Sequence, residues 1–130
     1  MSIERANPAE LGPPSGFSHA VIGRGTVVFL AGQTAIDASG QIVGSGVVAQ
    51  FEHALGRLLT ALRACGGGPD QLASLTVYVT DLDDYRSHSR EIGAVWRRLA
   101  GRNYPAMAAI GVSRLWDAAA LVEVQGFAVI

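Results

Sequence analysis

A chain of 130 residues that is 49% hydrophobic and 16% charged, with a formal net charge of −1, suits one domain able to bury roughly two-thirds of its unfolded surface. That balance, with no Lys/Arg cluster, excludes the basic stripe of a nucleic-acid binder. A single cysteine, Cys65, excludes an intramolecular disulfide, and no apolar run approaches the ~20 residues of a membrane span. No basic-then-apolar N-terminal signal is present, so the expectation is a cytoplasmic protein. The charged fraction of 16% lies below the usual figure of about 25%, as though polar surface were replaced by an oligomer interface.

In chain order, residues 1–15 hold Pro8, Gly12, Pro13 and Pro14 and read as an irregular leader to a single domain spanning 1–130. Residues 19–22 and 26–31 read as strands joined by Gly23-Arg24-Gly25. Asp37-Ala38-Ser39-Gly40 is a turn leading to a short strand near Ile42. Over 47–65, Val48, Phe51, Leu55, Leu58, Leu62 and Cys65 recur at helical spacing, which predicts a helix packed on a sheet, with Cys65 as a small hydrophobe. Gly66 is a natural residue to end it. Residues 72–80 alternate as a strand does, with Leu75, Val77 and Val79 on one side.

Asp81, Asp83 and Asp84 open a second helix and cap its free N–H groups. No His or Cys completes a metal site with them, so neither a metal nor any other cofactor is expected. Tyr85, Ile92, Trp96 and Leu99 form the helix's apolar stripe, and Gly101 stops it. Residues 106–112 and 118–130 are strand-like and flank the loop 113–117. Folded as a hairpin about Leu115, they place Met107 opposite Glu123. The order β-β-(β)-α-β-α-β-β is an α+β pattern with two helices on one sheet face.

Glu123 is the only ionisable residue of the last strand. A lone carboxylate there is costly unless exposed, paired or used. It is either a general base in a partly dry cleft or the partner of an Arg on a neighbouring subunit.

Taken together, Gly16-Phe17-Ser18-His19-Ala20-Val21, Val28-Phe29-Leu30-Ala31-Gly32-Gln33, the segment 75–85, Tyr104-Pro105-Ala106 and Leu121-Val122-Glu123-Val124 resemble, in order and spacing, the RidA/YjgF family. Its best-known members hydrolyse reactive enamines and imines, and some have been described as endoribonucleases of the L-PSP type. The resemblance implies a chorismate-mutase-like fold with a mixed sheet. It also implies a homotrimer with small-molecule sites at the subunit interfaces and no nucleic-acid or membrane partner. Deaminating members carry Arg directly after Pro-Ala as a clamp for the substrate carboxylate; this chain has Met107, which offers only soft apolar contact.

By the same resemblance Glu123 assists the hydrolytic water, the Gly32 N–H approaches the ligand, and Phe17 is an aromatic wall in place of Tyr. Arg114 matches an Arg of the family's last loop. Trp116 replaces a Pro, and that loop is one residue longer than usual. The binding set so implied is Phe17, Gly32, Met107, Arg114 and Trp116, whereas His19, outside it, reads as structural. Two functions compete: a hydrolase of a C=N intermediate other than a simple 2-iminoacid, or a trimer that binds a small ligand without turnover.

Overall fold

A computed structural model describes residues 2–130. The longest helix, α1 (Val47–Ala64), forms where apolar residues return every third or fourth position. Phe51, Leu55, Leu58 and Leu62 are completely buried. Each contributes on the order of 1.5–3 kcal/mol by leaving water. Gly66 ends the helix in the left-handed region at φ 87°, where a side chain would be strained. Cys65 is exposed, in contrast to the packed position expected from the stripe. It lies just past the last helical turn, so the stripe that reaches the sheet ends at Leu62.

A four-stranded sheet runs β3 (Val27–Gln33), β6 (Val122–Val129), β4 (Leu72–Val79), β5 (Ala106–Gly111). Leu72, Leu75, Val77 and Val79 face α1, as do Val122, Val124 and Ala128. The other helical segment is broken in two, α2 (Leu82–Ser87) and α3 (Ser89–Ala100), with His88 between them. Asp81 caps α2 by accepting the Asp84 N–H at 3.0 Å. Gly101 ends α3 at φ 80°.

Residues 3–6 are not irregular. They form β1 (Ile3–Ala6), antiparallel to β2 (Ala20–Gly23). Ile3 is buried, and Arg5 donates to the carbonyls of Tyr104 and Asp70 at 3.1 and 2.9 Å, fastening this hairpin to the main body. Near Ile42 there is only an isolated bridge to Ile36.

The last two strands do not form a hairpin. β5 lies parallel to β4, with Met107 beside Leu75, and β6 enters between β3 and β4, with Glu123 beside Tyr78. A helical crossover returns the chain to run parallel with the strand before it, and α2–α3 is such a crossover between β4 and β5. The loop after β5 then straddles the end of β4. The Val112 N–H donates to Val79 O at 2.8 Å, and the Thr80 N–H donates to Leu121 O at 3.1 Å. Gln50, buried on α1, holds this loop: its amide donates to Ala119 O at 3.2 Å and accepts from the Leu121 N–H at 2.8 Å.

Side chains alternate across a sheet, so this topology puts Met107 and Glu123 on opposite faces. Met107 points toward the helices and packs on the core. Glu123 points to the open face, which also carries Phe29, Phe127 and Ile110. Phe29 is 77% exposed and meets Phe127 edge-on at 5.4 Å.

Candidate functional site

Two groups of the expected site residues emerge, one on each sheet face. On the helix side, Met107 borders a cavity of about 510 Å³ walled by Phe51, Tyr85 and Trp96. Burial pushes the Tyr85 phenol above its usual pKa. Trp96 stacks on Tyr104 at 6.1 Å. Its indole N–H is buried with no acceptor among the described residues.

Ser15 and Gly16 also line this cavity. Their position follows from Ser18, whose backbone N–H donates to Pro105 O at 2.9 Å and whose hydroxyl donates to Tyr104 O at 2.7 Å. The Gly16-Phe17-Ser18 segment therefore runs beside the strand that carries Met107. Phe17 is half-buried there and packs edge-on against the His19 ring at 5.1 Å. His19 Nε2 lies 3.0 Å from Gly12 O, a contact within the N-terminal segment that fits the structural reading of this histidine.

On the open face, Glu123 and Gly32 come together. β3 carries an irregularity between Leu30 and Gln33, and a Cβ built on Gly32 would run into the Glu123 carboxylate. Glycine at this position leaves the carboxylate its place; a side chain there would push the end of Glu123 aside. Glu123 is half-buried, and its carboxylate has no hydrogen-bond donor or cation among the described residues. An acceptor-only group left free at the edge of an apolar face is available to a water, a ligand or a second chain.

Arg114 and Trp116 lie apart from both groups. The Arg114 guanidinium donates to the carbonyls of Leu115 and Trp116, within its own loop, at 3.2 and 3.4 Å. Trp116 is 91% exposed. Neither borders the Met107 cavity.

A larger, open depression of about 1000 Å³ flanks α1 and includes His53 and Arg57. Both side chains are engaged there in holding β3 and the following turn to the helix. Arg57 Nε donates to Gln33 Oε1 at 3.0 Å, and His53 Nε2 lies 2.9 Å from Ile36 O. In that turn Asp37 is held below the usual carboxylate range, chiefly by the Gln41 N–H. Among the described residues no group of three His, Cys, Asp or Glu side chains could hold a metal, and no helix is long and apolar enough to cross a membrane.

Sequence reasoning missed Arg90 and Arg97, which also border the Met107 cavity. Their spacing around Gly93 was visible, but on an exposed helix face it reads as ordinary solvated charge.

A family model described as Endoribonuclease L-PSP matches residues 8–130. The chain belongs to the RidA/YjgF family. The 2-iminobutanoate/2-iminopropanoate deaminase of Capra hircus is 32% identical over 123 residues, covering 94% of this chain and 83% of that protein. Among solved structures, YyfB from Yersinia pestis, described as a Rid-family protein of unknown function, superimposes with a TM-score of 0.90 at 30% identity, covering 100% of both chains. RidA from the Antarctic bacterium Psychrobacter sp. PAMC 21119 does so with a TM-score of 0.70 at 25% identity, covering 100% of this chain and 99% of that one. The RidA/YjgF fold expected from the sequence is therefore the fold observed.

Proposed function

We propose that this RidA/YjgF protein is a hydrolase of a C=N bond in a small molecule. It works as a homotrimer in which the Met107 cavity of one protomer meets the Gly32–Glu123 ledge of the next. The observation that carries this reading is the placement of the two groups on opposite faces of one sheet. Only a second copy can bring them to one substrate, and the Glu123 face has exposed Phe29, Phe127 and Ile110 to bury against it. The names of relatives such as the goat deaminase supply the reaction class.

In this mechanism water adds its oxygen to the imine carbon while Glu123 accepts a proton from it. That proton passes to the nitrogen to give a carbinolamine, whose hydroxyl proton then moves to the amine as the C–N bond breaks, leaving a carbonyl and ammonia. A positioned carboxylate base contributes about 10²–10⁴-fold. Met107 cannot clamp a carboxylate, so a simple 2-iminoacid loses charge-assisted hydrogen bonds of about 1.5–3 kcal/mol each.

The test is Glu123→Gln, assayed on imines generated in situ, with mass and melting temperature measured on the same sample. Turnover is expected to fall about 10²–10⁴-fold in an intact trimer. Unchanged turnover would remove Glu123 from the chemistry. Met107 also favours a second reading, a trimer that binds its ligand without turnover. That reading would stand if the wild-type protein bound small oxo compounds yet hydrolysed no imine.

A further inference from the structure

The cation absent from strand β5 has a counterpart on the helix across the cavity. Arg90, Gly93 and Arg97 stand at i, i+3 and i+7 of α3 and all three border the Met107 cavity. That spacing puts them on one helix face, the two arginine Cα atoms about 10 Å apart. Gly93 leaves room between them: a Cβ there would lie 3.2 Å from Arg97 Nη1, so the guanidinium lies across bare backbone.

Neither guanidinium has a carboxylate partner or a hydrogen-bond acceptor among the described residues, whereas Arg98, their neighbour on the helix, pairs with Glu52 at 2.6 Å. Trp96, on the same wall, contributes its ring face rather than a donor, since its indole N–H is buried out of reach. The cavity thus has two exposed guanidinium groups on its border for which the chain supplies no anion. Its volume of about 510 Å³ falls in the range of small-ligand pockets, roughly 300–1,000 Å³. Its aromatic walls suit a flat or apolar body.

We infer that Arg90 and Arg97 anchor the anionic end of the ligand. The substrate class is an imine whose carboxylate is separated from the C=N carbon by an apolar spacer of several bonds. This rests on the reading that Met107 borders the reacting end of the site. Two guanidinium groups converging on one carboxylate supply the charge-assisted pairing that Met107 cannot. Moving the cation from the strand to the helix selects against acids whose carboxylate adjoins the reacting carbon.

The experiment uses carbonyl analogues of the imine: 4-acetylbenzoate, with a remote carboxylate, its uncharged methyl ester, and 2-oxobutanoate, with an adjacent one. Affinities are measured by calorimetry on the wild type, on Arg90→Ala/Arg97→Ala, and on Arg86→Ala as a control away from the cavity. Expected is 4-acetylbenzoate binding at least about tenfold tighter than either comparator. The advantage should disappear in the double variant and persist in Arg86→Ala.

Equal affinity for acid and ester, no binding of the acid, or an advantage that survives in the double variant would overturn the inference. Loss of the assembly in the double variant would overturn it too, because the arginines would then be paired with a carboxylate of another copy. The binding result stands whether or not any imine is turned over, so it separates from the fate of the hydrolase reading.

Discussion

The two faces of the central sheet carry different burdens. The helix face is a sealed core in which Val77, Val79, Val122 and Val124 are buried to within 1% of completely. At the β5 edge this layer opens into the Met107 cavity. The other face leaves Phe29, Phe127 and Ile110 in solvent, with Glu123 and Gly32 beside them. A protein does not ordinarily leave such an apolar face uncovered. The contrast teaches that the core stabilises the protomer, while on the proposed assembly the open face is the one left for another copy and the site draws on both faces.

The strongest way to break this comparison is to disrupt one apolar contact on each face, with a charge on the open side and a cavity on the core side. Phe29→Asp is expected to leave the protomer folded but to dissociate the assembly at micromolar concentration, with activity lost, as read by analytical ultracentrifugation. Leu58→Ala, on the core side, should instead keep the assembly while costing about 2–5 kcal/mol, roughly a 10 °C drop in melting temperature. If Phe29→Asp assembles like the wild type, the open face is not the interface.

Gly32→Val sharpens the open side alone. Its side chain would occupy the space of the Glu123 carboxylate and turn the base away. Turnover is expected to fall about a hundredfold or more, with little change in melting temperature, because Gly32 is on the surface. Activity within a factor of two of wild type would show that the carboxylate's position there is unimportant.

The smallest expected effect is a pH dependence that belongs to the helix side. His88, between α2 and α3, has its pKa raised, first by its hydrogen bond to the Asp84 carbonyl and then by the charges of Asp84 and Glu91. A raised folded pKa means that its stabilisation is complete below the unfolded value of about 6.5. It is then lost as pH rises through the folded value. The melting-temperature difference between wild type and His88→Gln should be greatest near pH 5.5 and fade at alkaline pH. A difference that grows with pH would contradict this assignment.

Much of the fold was legible because its signals are local. The stripe from Phe51 to Leu62, the Gly66 stop, the alternation of Leu75, Val77 and Val79 and the Asp81 cap each need only a few neighbouring residues, and each lies where the pattern puts it. The pairing of the last strands is not local. The five-residue loop 113–117 reads as a hairpin turn, whereas β5 ends at Gly111 and β6 begins only at Val122. What decides against it is that α2–α3 returns the chain parallel to β4 and leaves the place beside β3 for β6. The same error hid β1, whose four residues become a strand only through distant Ala20–Gly23.

For the candidate site, the resemblance picked out Gly32 and Glu123 separately as ligand contacts and Met107 as the altered clamp position; the contact between Gly32 and Glu123 appears only in the structure. It could not show that Met107 and Glu123 face opposite ways, since a single change of strand partner reverses that relation. Arg90 and Arg97 carried no signal because nothing in the sequence announces that α3 overlooks a cavity.

The measurement that tests the central claim most directly needs no substrate. Two variants, Met107→Cys and Glu123→Cys, each in a Cys65→Ser background, are mixed, allowed to exchange subunits and treated with a short bis-maleimide spanning about 10 Å. The account predicts a covalent species of twice the 13.6 kDa chain mass, formed in the mixture far more than in either variant alone. No cross-link in the mixture, together with an intrachain link in a chain carrying both cysteines, would contradict it and return Met107 and Glu123 to a single protomer.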